Sequence, residues 1–372
     1  MSTPAVAPLL LHVVGARPNF PKAAPVLAAL REHPVRQLLV HTGQHYDAQL
    51  SEVFFDELGL PRPDVDLGVG SGSHATQTAA VMVALEQVFA EHRPSMVVVY
   101  GDVNSTVAAA LVAAKLHIPV AHVEAGLRSG DRTMPEEVNR LVTDRISDLL
   151  LATSADAVAH LHREGVDPAT VHLVGNPMID TVLRHVHQLD PARIATLRGV
   201  LEQTDPRYVA ATVHRPGNVD DPDDTRPLVA ALHAVADQVP VVLPLHPRGR
   251  AGLTRAGLLE HGGITVLEPL GYLDFLSLVQ GAAAVVTDSG GVQEETTALG
   301  VPCLTLRPST ERPVTITEGT NRLVTRERLA DEVSRVLADG RPAPGSTPVP
   351  PLWDGHAGPR IAEVLARALG VG

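Results

Sequence analysis

A chain of 372 residues that is 44 % hydrophobic is long for one domain and comfortable for two, and each half can bury a core without disulfides or a structural metal. A formal net charge of −12 excludes a broad surface for nucleic acid or anionic membrane, while leaving room for a small basic pocket around a diphosphate. Aromatics make up only 3 %, so the cores must be Val, Leu, Ile and Ala, the palette of parallel strands buried under helices; the single cysteine, Cys303, allows no internal disulfide and points to a reducing, cytoplasmic setting.

In chain order, Met1–Pro8 carries no basic leader, and the apolar run Leu9–Val14 is too short for a signal core or for the roughly 20 residues of a membrane span. Short apolar runs then alternate with amphipathic stretches. Strands are predicted at Leu10–Val14, Gln37–His41, Met96–Tyr100, Pro119–Val123, Leu149–Ala152 and Val171–Val174, with helices at Pro21–Glu32, Thr76–His92, Ser105–Leu116, Glu136–Ile146 and Ala155–Glu164. Asn176-Pro177 reads as an N-cap followed by a first-turn proline. The rhythm then repeats. Strands are predicted at Tyr208–Thr212, Val241–Leu245, Ile264–Leu267, Ala283–Thr287 and Pro302–Leu306, with helices at Thr225–Ala236, Leu273–Gly281, Val292–Leu299 and Glu327–Ala338. Gly340–Pro351 is a Pro/Gly-rich loop, and a last helix covers Gly358–Leu369. Such βαβα order implies two Rossmann-like parallel α/β domains, residues 1–175 and 176–355, with a C-terminal helix over 356–372 that can pack back on the first. Tandem domains of this kind are expected to face a cleft, with ligands at the carboxyl ends of the strands.

Polar residues cluster just beyond those strand ends. Gly15-Ala-Arg17-Pro-Asn-Phe-Pro-Lys22 leaves the first strand and opens a helix; glycine permits the tight exit, and Arg17 with the helix N-terminus can face an anion, although neither a dinucleotide fingerprint nor a Walker loop is present. Asp102 follows the third strand and suits a helix cap as well as it suits chemistry. His122-Val-Glu124-Ala-Gly-Leu-Arg128 and Pro135-Glu136-Glu137-Val-Asn139-Arg140 bring several carboxylates to one edge, as proton transfer at carbon requires, although acids in a first helical turn also arise from the helix dipole. His214-Arg215 ends a second-domain strand, and both side chains can donate to phosphate. Asp288-Ser289-Gly290-Gly291 opens a helix with exposed backbone N–H groups, a diphosphate cradle, and the acids one turn on can take ribose hydroxyls; Arg312 adds a cation after the next strand. Neither H-E-x-x-H nor Cys/His ligand spacing occurs among the 18 histidines, so no metal is expected.

Taken together, the strings GARPNFPKAAP, TGQHYD, YGDVNST, HVEAGLRSGD, PEEVNR, VGNPMID, VHRPGN, LPLHP, TDSGGVQEE, STERP and EGTNRLV, in this order from Val13 to about Leu323, resemble the non-hydrolysing UDP-N-acetylglucosamine 2-epimerases. The resemblance implies a glycosyltransferase-B fold, no metal or nicotinamide cofactor, a homodimer, and interconversion of UDP-GlcNAc and UDP-ManNAc through elimination of UDP to 2-acetamidoglucal and re-addition. By matched motif it implies Asp102, Glu124 and Glu136 as acid/base groups and His214 near the leaving diphosphate. It implies Arg17, Lys22, His246, Ser289, Gly290, Gly291 and Arg312 around UDP, Glu295 on the ribose and Phe275 near the uracil. Gln44, His45 and Asp47 match a segment linked to activation by substrate. Asp47 stands where many bacterial members have Gln and Gly70–Ser73 lacks their Arg, so UDP-ManNAc is expected to turn over without added UDP-GlcNAc; separately, Gly217 replaces a usual Glu. The alternatives are the hydrolysing variant that releases ManNAc and UDP, a glycosyltransferase of the same fold, and a non-catalytic nucleotide-sugar sensor.

Overall fold

The computed structural model describes residues 7–44, 48–194, 199, 207–219, 221–245, 247–343 and 346–371. It divides into two compact units, Met1–Thr181 with Pro351–Gly372, and Val182–Pro350. Among the described residues no helix is long and apolar enough to cross a membrane.

The first unit is built on β1 (Leu9–Val14), β2 (Arg36–His41), β3 (Val65–Asp66), β4 (Met96–Tyr100), β5 (Val120–Ala125), β6 (Leu149–Ala152) and β7 (Val171–Leu173). They pair in parallel in the order β3-β2-β1-β4-β5-β6-β7. Strand order reverses between β1 and β4, the switch point at which parallel α/β sheets open a site at their carboxyl ends. All six residues of β1 and all five of β4 are buried, because helices cover both faces. Leu11, Val13, Val97 and Val99 pack with Val81, Leu85 and Phe89 of the helix His74–His92 and with Ala109 and Val112 of Asn104–Lys115. The C-terminal helix Ala357–Ala368 belongs to this unit; Asp180 caps it by accepting the N–H groups of Ala357 (3.1 Å) and Gly358 (2.7 Å).

The second unit repeats the plan with β8 (Val209–Thr212), β9 (Val241–Pro244), β10 (Ile264–Leu267), β11 (Ala284–Thr287), β12 (Cys303–Thr305) and β13 (Asn321–Leu323), in the order β10-β9-β8-β11-β12-β13. Its switch point lies between β8 and β11, which pair in parallel from Val209↔Ala284 to Thr212↔Thr287. One side of the sheet buries Leu228, Leu232 and Val333, the other Leu278, Val279 and Val292.

The expected helices appear within a few residues of their predicted bounds. Pro21–Glu32 divides into the helix Phe20–Ala29 and a 3-10 turn Leu30–Glu32. Asn176 caps the helix Pro177–His185 through its Oδ1, which accepts the Met178 N–H at 3.0 Å. The edge strands β3 and β13 and the helices Ala48–Leu58 and Pro247–Arg255 were not marked by the apolar pattern; strands of two and three residues are too short to show a period. β5 runs to Ala125, two residues beyond its expected end, across an irregularity at Glu124 that matters below.

Candidate active site

The first unit's groups gather where β1, β4 and β5 end. Asn19, almost fully buried, ties the loops after β1 and β4 together. Its Oδ1 accepts the N–H groups of Gly15 (2.9 Å) and Ala16 (3.1 Å), and its Nδ2 donates to Tyr100 O (2.7 Å). Gly15 must be glycine, because a Cβ there would run into Ser105 Oγ. Arg17 is half-buried, with its guanidinium 5.5 Å from the Phe54 ring centroid. Lys22, 3 % exposed in the first turn of Phe20–Ala29, donates Nζ to Glu124 Oε2.

Glu124 occupies a register shift between β5 and β6 and has φ +75°, a left-handed conformation that costs a non-glycine residue about 1–2 kcal/mol and needs surrounding structure to hold it. Gly101, at φ +64°, makes room for the pair: a Cβ on it would lie 3.0 Å from both Glu124 Oε2 and Lys22 Nζ. The next residue, Asp102, accepts from Arg140 Nη1 through Oδ2, and its carbonyl accepts Asn139 Nδ2 at 2.8 Å. The capping alternative for Asp102 fails, since the N-cap of Asn104–Lys115 is Val103 and no side chain caps it.

The two acids that open the helix Pro135–Ile146 differ in use. Glu137 accepts the N–H groups of Ser129 and Gly130, both at 3.0 Å, and pairs with Arg140 Nη2 at 2.6 Å. Burial alone would raise its carboxyl, but the Ser129 and Gly130 amides and Arg140 hold it below the usual carboxylate range. Glu136 is half-buried and has no side-chain partner among the described residues. Gln44 is buried; its Oε1 accepts Ser105 Oγ at 2.9 Å and its carbonyl accepts Gln77 Nε2 at 3.3 Å. His45, Asp47 and His246 lie outside the described residues.

In the second unit, Asp288 at the end of β11 organises the loop after β8. Its carboxylate accepts the N–H groups of His214 (3.1 Å) and Arg215 (2.9 Å), Asn218 Nδ2 (2.8 Å) and His214 Nδ1 (2.9 Å). Burial opposes the charge, yet the His214 and Asn218 side chains and the Arg215 amide together hold the carboxyl down at about 2. An ionised acceptor fixes the proton on Nδ1 of His214 and leaves Nε2 of a side chain that is 55 % exposed.

The helix Gly290–Leu299 begins behind this pair. Ser289 N–H donates to Thr287 Oγ1 at 2.9 Å, whereas the amides of Gly290 and Gly291, in the first turn, have no intrahelical acceptor. A Cβ on Gly290 would collide with Arg312 Nη1 and Glu311 Oε1. Arg312, 5 % exposed, pairs Nε with Glu294 Oε1 at 2.9 Å and Nη1 with Glu311, whose other oxygen takes Arg307 Nη2 at 2.6 Å. Four alternating charges thus form a neutral buried row under the two-glycine turn, and Glu294 is engaged there rather than open to a ribose. Glu295 is buried beside Tyr272, whose phenol is raised well above its usual value by burial and then by Glu295 and Glu294. Phe275 is half-buried on the helix Tyr272–Gly281. Among the described residues no group of three or more His, Cys, Asp or Glu is arranged to hold a metal ion.

The structure therefore brings Asp102, Glu124 and Lys22 together around Gly101, and groups His214 with Asp288, and Gly290 with Arg312. Sequence reasoning gave no role to Arg140, Asn19 or Asn139, and placed Asp288 only as part of a cradle. PEEVNR does show the i, i+3 spacing of Glu137 and Arg140, a local signal of that ion pair; nothing local joins Arg140 to Asp102.

The family described as UDP-N-acetylglucosamine 2-epimerase matches residues 28–366. A Pseudomonas aeruginosa protein named UDP-2,3-diacetamido-2,3-dideoxy-D-glucuronate 2-epimerase is 41 % identical over 366 residues, covering 96 % of this chain and 99 % of its own length. The UDP-N-acetylglucosamine 2-epimerase of Methanocaldococcus jannaschii is 38 % identical over 363 residues, covering 95 % and 97 %. The crystal structure of a UDP-GlcNAc 2-epimerase from that organism, in complex with UDP-GlcNAc and UDP, superposes with a TM-score of 0.88 at 37 % identity, covering 96 % of this chain and 99 % of the other.

Proposed function

The chain belongs to the UDP-N-acetylglucosamine 2-epimerase family, and we propose that it interconverts UDP-GlcNAc and UDP-ManNAc without net hydrolysis. The observation that carries this reading is the pair of cation-held carboxylates at neighbouring strand ends, Glu124 with Lys22 and Asp102 with Arg140, beside Gly101. An epimerase must serve both faces of one carbon, and two fixed carboxylates meet that need where one does not.

C2 of the sugar is not next to a carbonyl, so its proton is only weakly acidic and must leave as the C1–O bond breaks. In the forward half-reaction a carboxylate takes the C2 proton, the C2–H electron pair becomes the second bond of C1=C2, and the C1–O pair departs with the diphosphate of UDP. In the return half-reaction a diphosphate oxygen attacks C1 and a proton reaches C2 from the opposite face. Asp102, Glu124 and Glu136 are the acid/base candidates. His214, oriented by Asp288, and the first-turn amides of Gly290 and Gly291 stabilise the negative charge that develops on the diphosphate. Arg17 adds to the hold on UDP. We read the enzyme as a homodimer that needs neither metal nor nicotinamide.

Turnover of UDP-GlcNAc in deuterated water tests this reading. Epimerised product should carry deuterium at C2, with slow leakage of UDP and 2-acetamidoglucal. Epimerisation with no deuterium at C2 would rule out elimination, and free ManNAc as the main product would make the enzyme the hydrolysing form. The Pseudomonas relative favours a second reading of the sugar, a UDP-2,3-diacetamido-glucuronate. Comparing kcat/KM for the two nucleotide sugars decides between them, with UDP-GlcNAc expected to be the better substrate.

A further inference from the structure

Three consecutive carbonyls from the last residue of β4 onward are each gripped by side chains from other parts of the unit. Tyr100 O accepts Asn19 Nδ2 (2.7 Å) and Thr106 Oγ1 (2.8 Å), Gly101 O accepts His122 Nε2 (2.8 Å), and Asp102 O accepts Asn139 Nδ2 (2.8 Å). His122 is the titratable member of this set. It is wholly buried in β5, and its Nδ1 meets Asp144 Oδ1 at 2.6 Å.

A carbonyl oxygen only accepts, so Nε2 carries a proton. Burial would raise the Asp144 carboxyl, but the charge and hydrogen bonds of His122 and Arg128 outweigh that and hold it below the usual range. At that distance Nδ1 faces the Asp144 carboxylate as a hydrogen-bond partner. The second oxygen of Asp144 accepts the Gly126 N–H (3.0 Å) and pairs with Arg128 Nη1 (2.7 Å), which is itself tied to Glu164 (2.7 Å). Gly126, at φ +84°, has no room for a Cβ against Ala157 O.

One buried carboxylate therefore reaches the backbone beside two of the acid/base candidates, Asp102 and Glu124. Through His122 it holds the peptide that leads into Asp102. Directly, it holds the amide two residues past Glu124, on the far side of the strained register shift. We propose that Asp144 and His122 are positioning residues that set Asp102 and Glu124 relative to each other by gripping the carbonyl of Gly101 and the amide of Gly126. This rests on the reading of those two carboxylates as the groups that serve C2. The side chains of His122 and Asp144 are 0 % and 1 % exposed, so they act through backbone.

A matched pair of substitutions isolates the bond to Gly101. His122→Gln can place an amide donor where Nε2 lies, whereas His122→Asn places one where Nδ1 lies and leaves Gly101 O without its partner. We expect kcat of His122→Asn to fall by about 10–100-fold, the scale of a catalytic group displaced by an ångström. His122→Gln should keep kcat about tenfold or more above His122→Asn. UDP affinity, measured by calorimetry, should be unchanged in both. Asp144→Asn, which retains shape but loses the charge, should lower kcat without changing UDP affinity. Equal kcat for the two His122 variants, a parallel loss of UDP affinity, or failure of both to fold would overturn the proposal by making the pair ordinary core structure. Deuterium at C2 in wild-type product is read in the same experiment. Its absence condemns the elimination chemistry, while its presence with indifferent His122 variants condemns only the positioning pair.

Discussion

The two units put their polar groups at equivalent places, the points where strand order reverses, and hold them by opposite means. After β1, β4 and β5 the acid/base candidates are acids, and buried cations hold them: Lys22 for Glu124, Arg140 for Asp102. After β8 and β11 the outward group is the base His214, and a buried acid, Asp288, holds it; the cation Arg312 lies between two carboxylates. A buried charge is tolerable only when paired, so each unit needed both signs, and the sign of the group proposed to meet the ligand is what differs. On the proposed reading the first unit moves protons and the second receives an anion. The shared α/β plan provides the location alone; the chemistry comes from a few loop residues.

That division can be broken most sharply at Glu124. Glu124→Gln keeps the shape but removes the proton acceptor, so kcat should fall by about 10²–10⁴, while calorimetry should find UDP affinity intact. A fall in UDP affinity of similar size would mean that the first unit's acids also govern nucleotide binding.

Arg17 is the residue expected to blur the comparison, since it is a first-unit cation proposed to touch the diphosphate. Arg17→Ala should weaken UDP binding by about 1.5–3 kcal/mol, the worth of a charged hydrogen bond. Unchanged affinity in a titration would remove Arg17 from the site and leave anion binding to the second unit.

Asp288 sharpens the comparison through pH. Its carboxyl lies at about 2 in the folded protein against an ordinary value of 3.8. The stabilisation this supplies, about 2 kcal/mol, is complete above the ordinary value and is lost as pH falls toward the folded one. The stability gap between wild type and Asp288→Asn, measured by urea unfolding, should therefore be wide at pH 5 and close as pH approaches 2. A gap that does not narrow would show that His214 is held by something other than the ionised carboxylate.

How much of this was readable beforehand depended on whether the signal is local. Apart from β3 and β13, the strands showed because each is an apolar run of a few residues, and the motifs showed because they follow strand ends. The acids of PEEVNR read as equivalent members of a first helical turn, yet Glu137 is consumed by Ser129, Gly130 and Arg140 while Glu136 is not. Glu294 and Glu295 read as a matched pair for ribose, and only the fold commits Glu294 to Arg312.

The sequence by itself determined the two parallel α/β units, because burial on both faces demands apolar strands and the crossover demands helices between them. It also marked where the candidate site lies, because the strands are largely apolar and the polar motifs cluster at or just past their ends. Tertiary structure alone decided the pairings: Lys22 meets Glu124, Arg140 meets Asp102 and Asp288 meets His214 across sequence separations that carry no period. It also decided the left-handed turn that carries Glu124. Ion pairing depends on distance in space, and parallel strands that reverse their order at a switch point bring together residues that the chain keeps far apart.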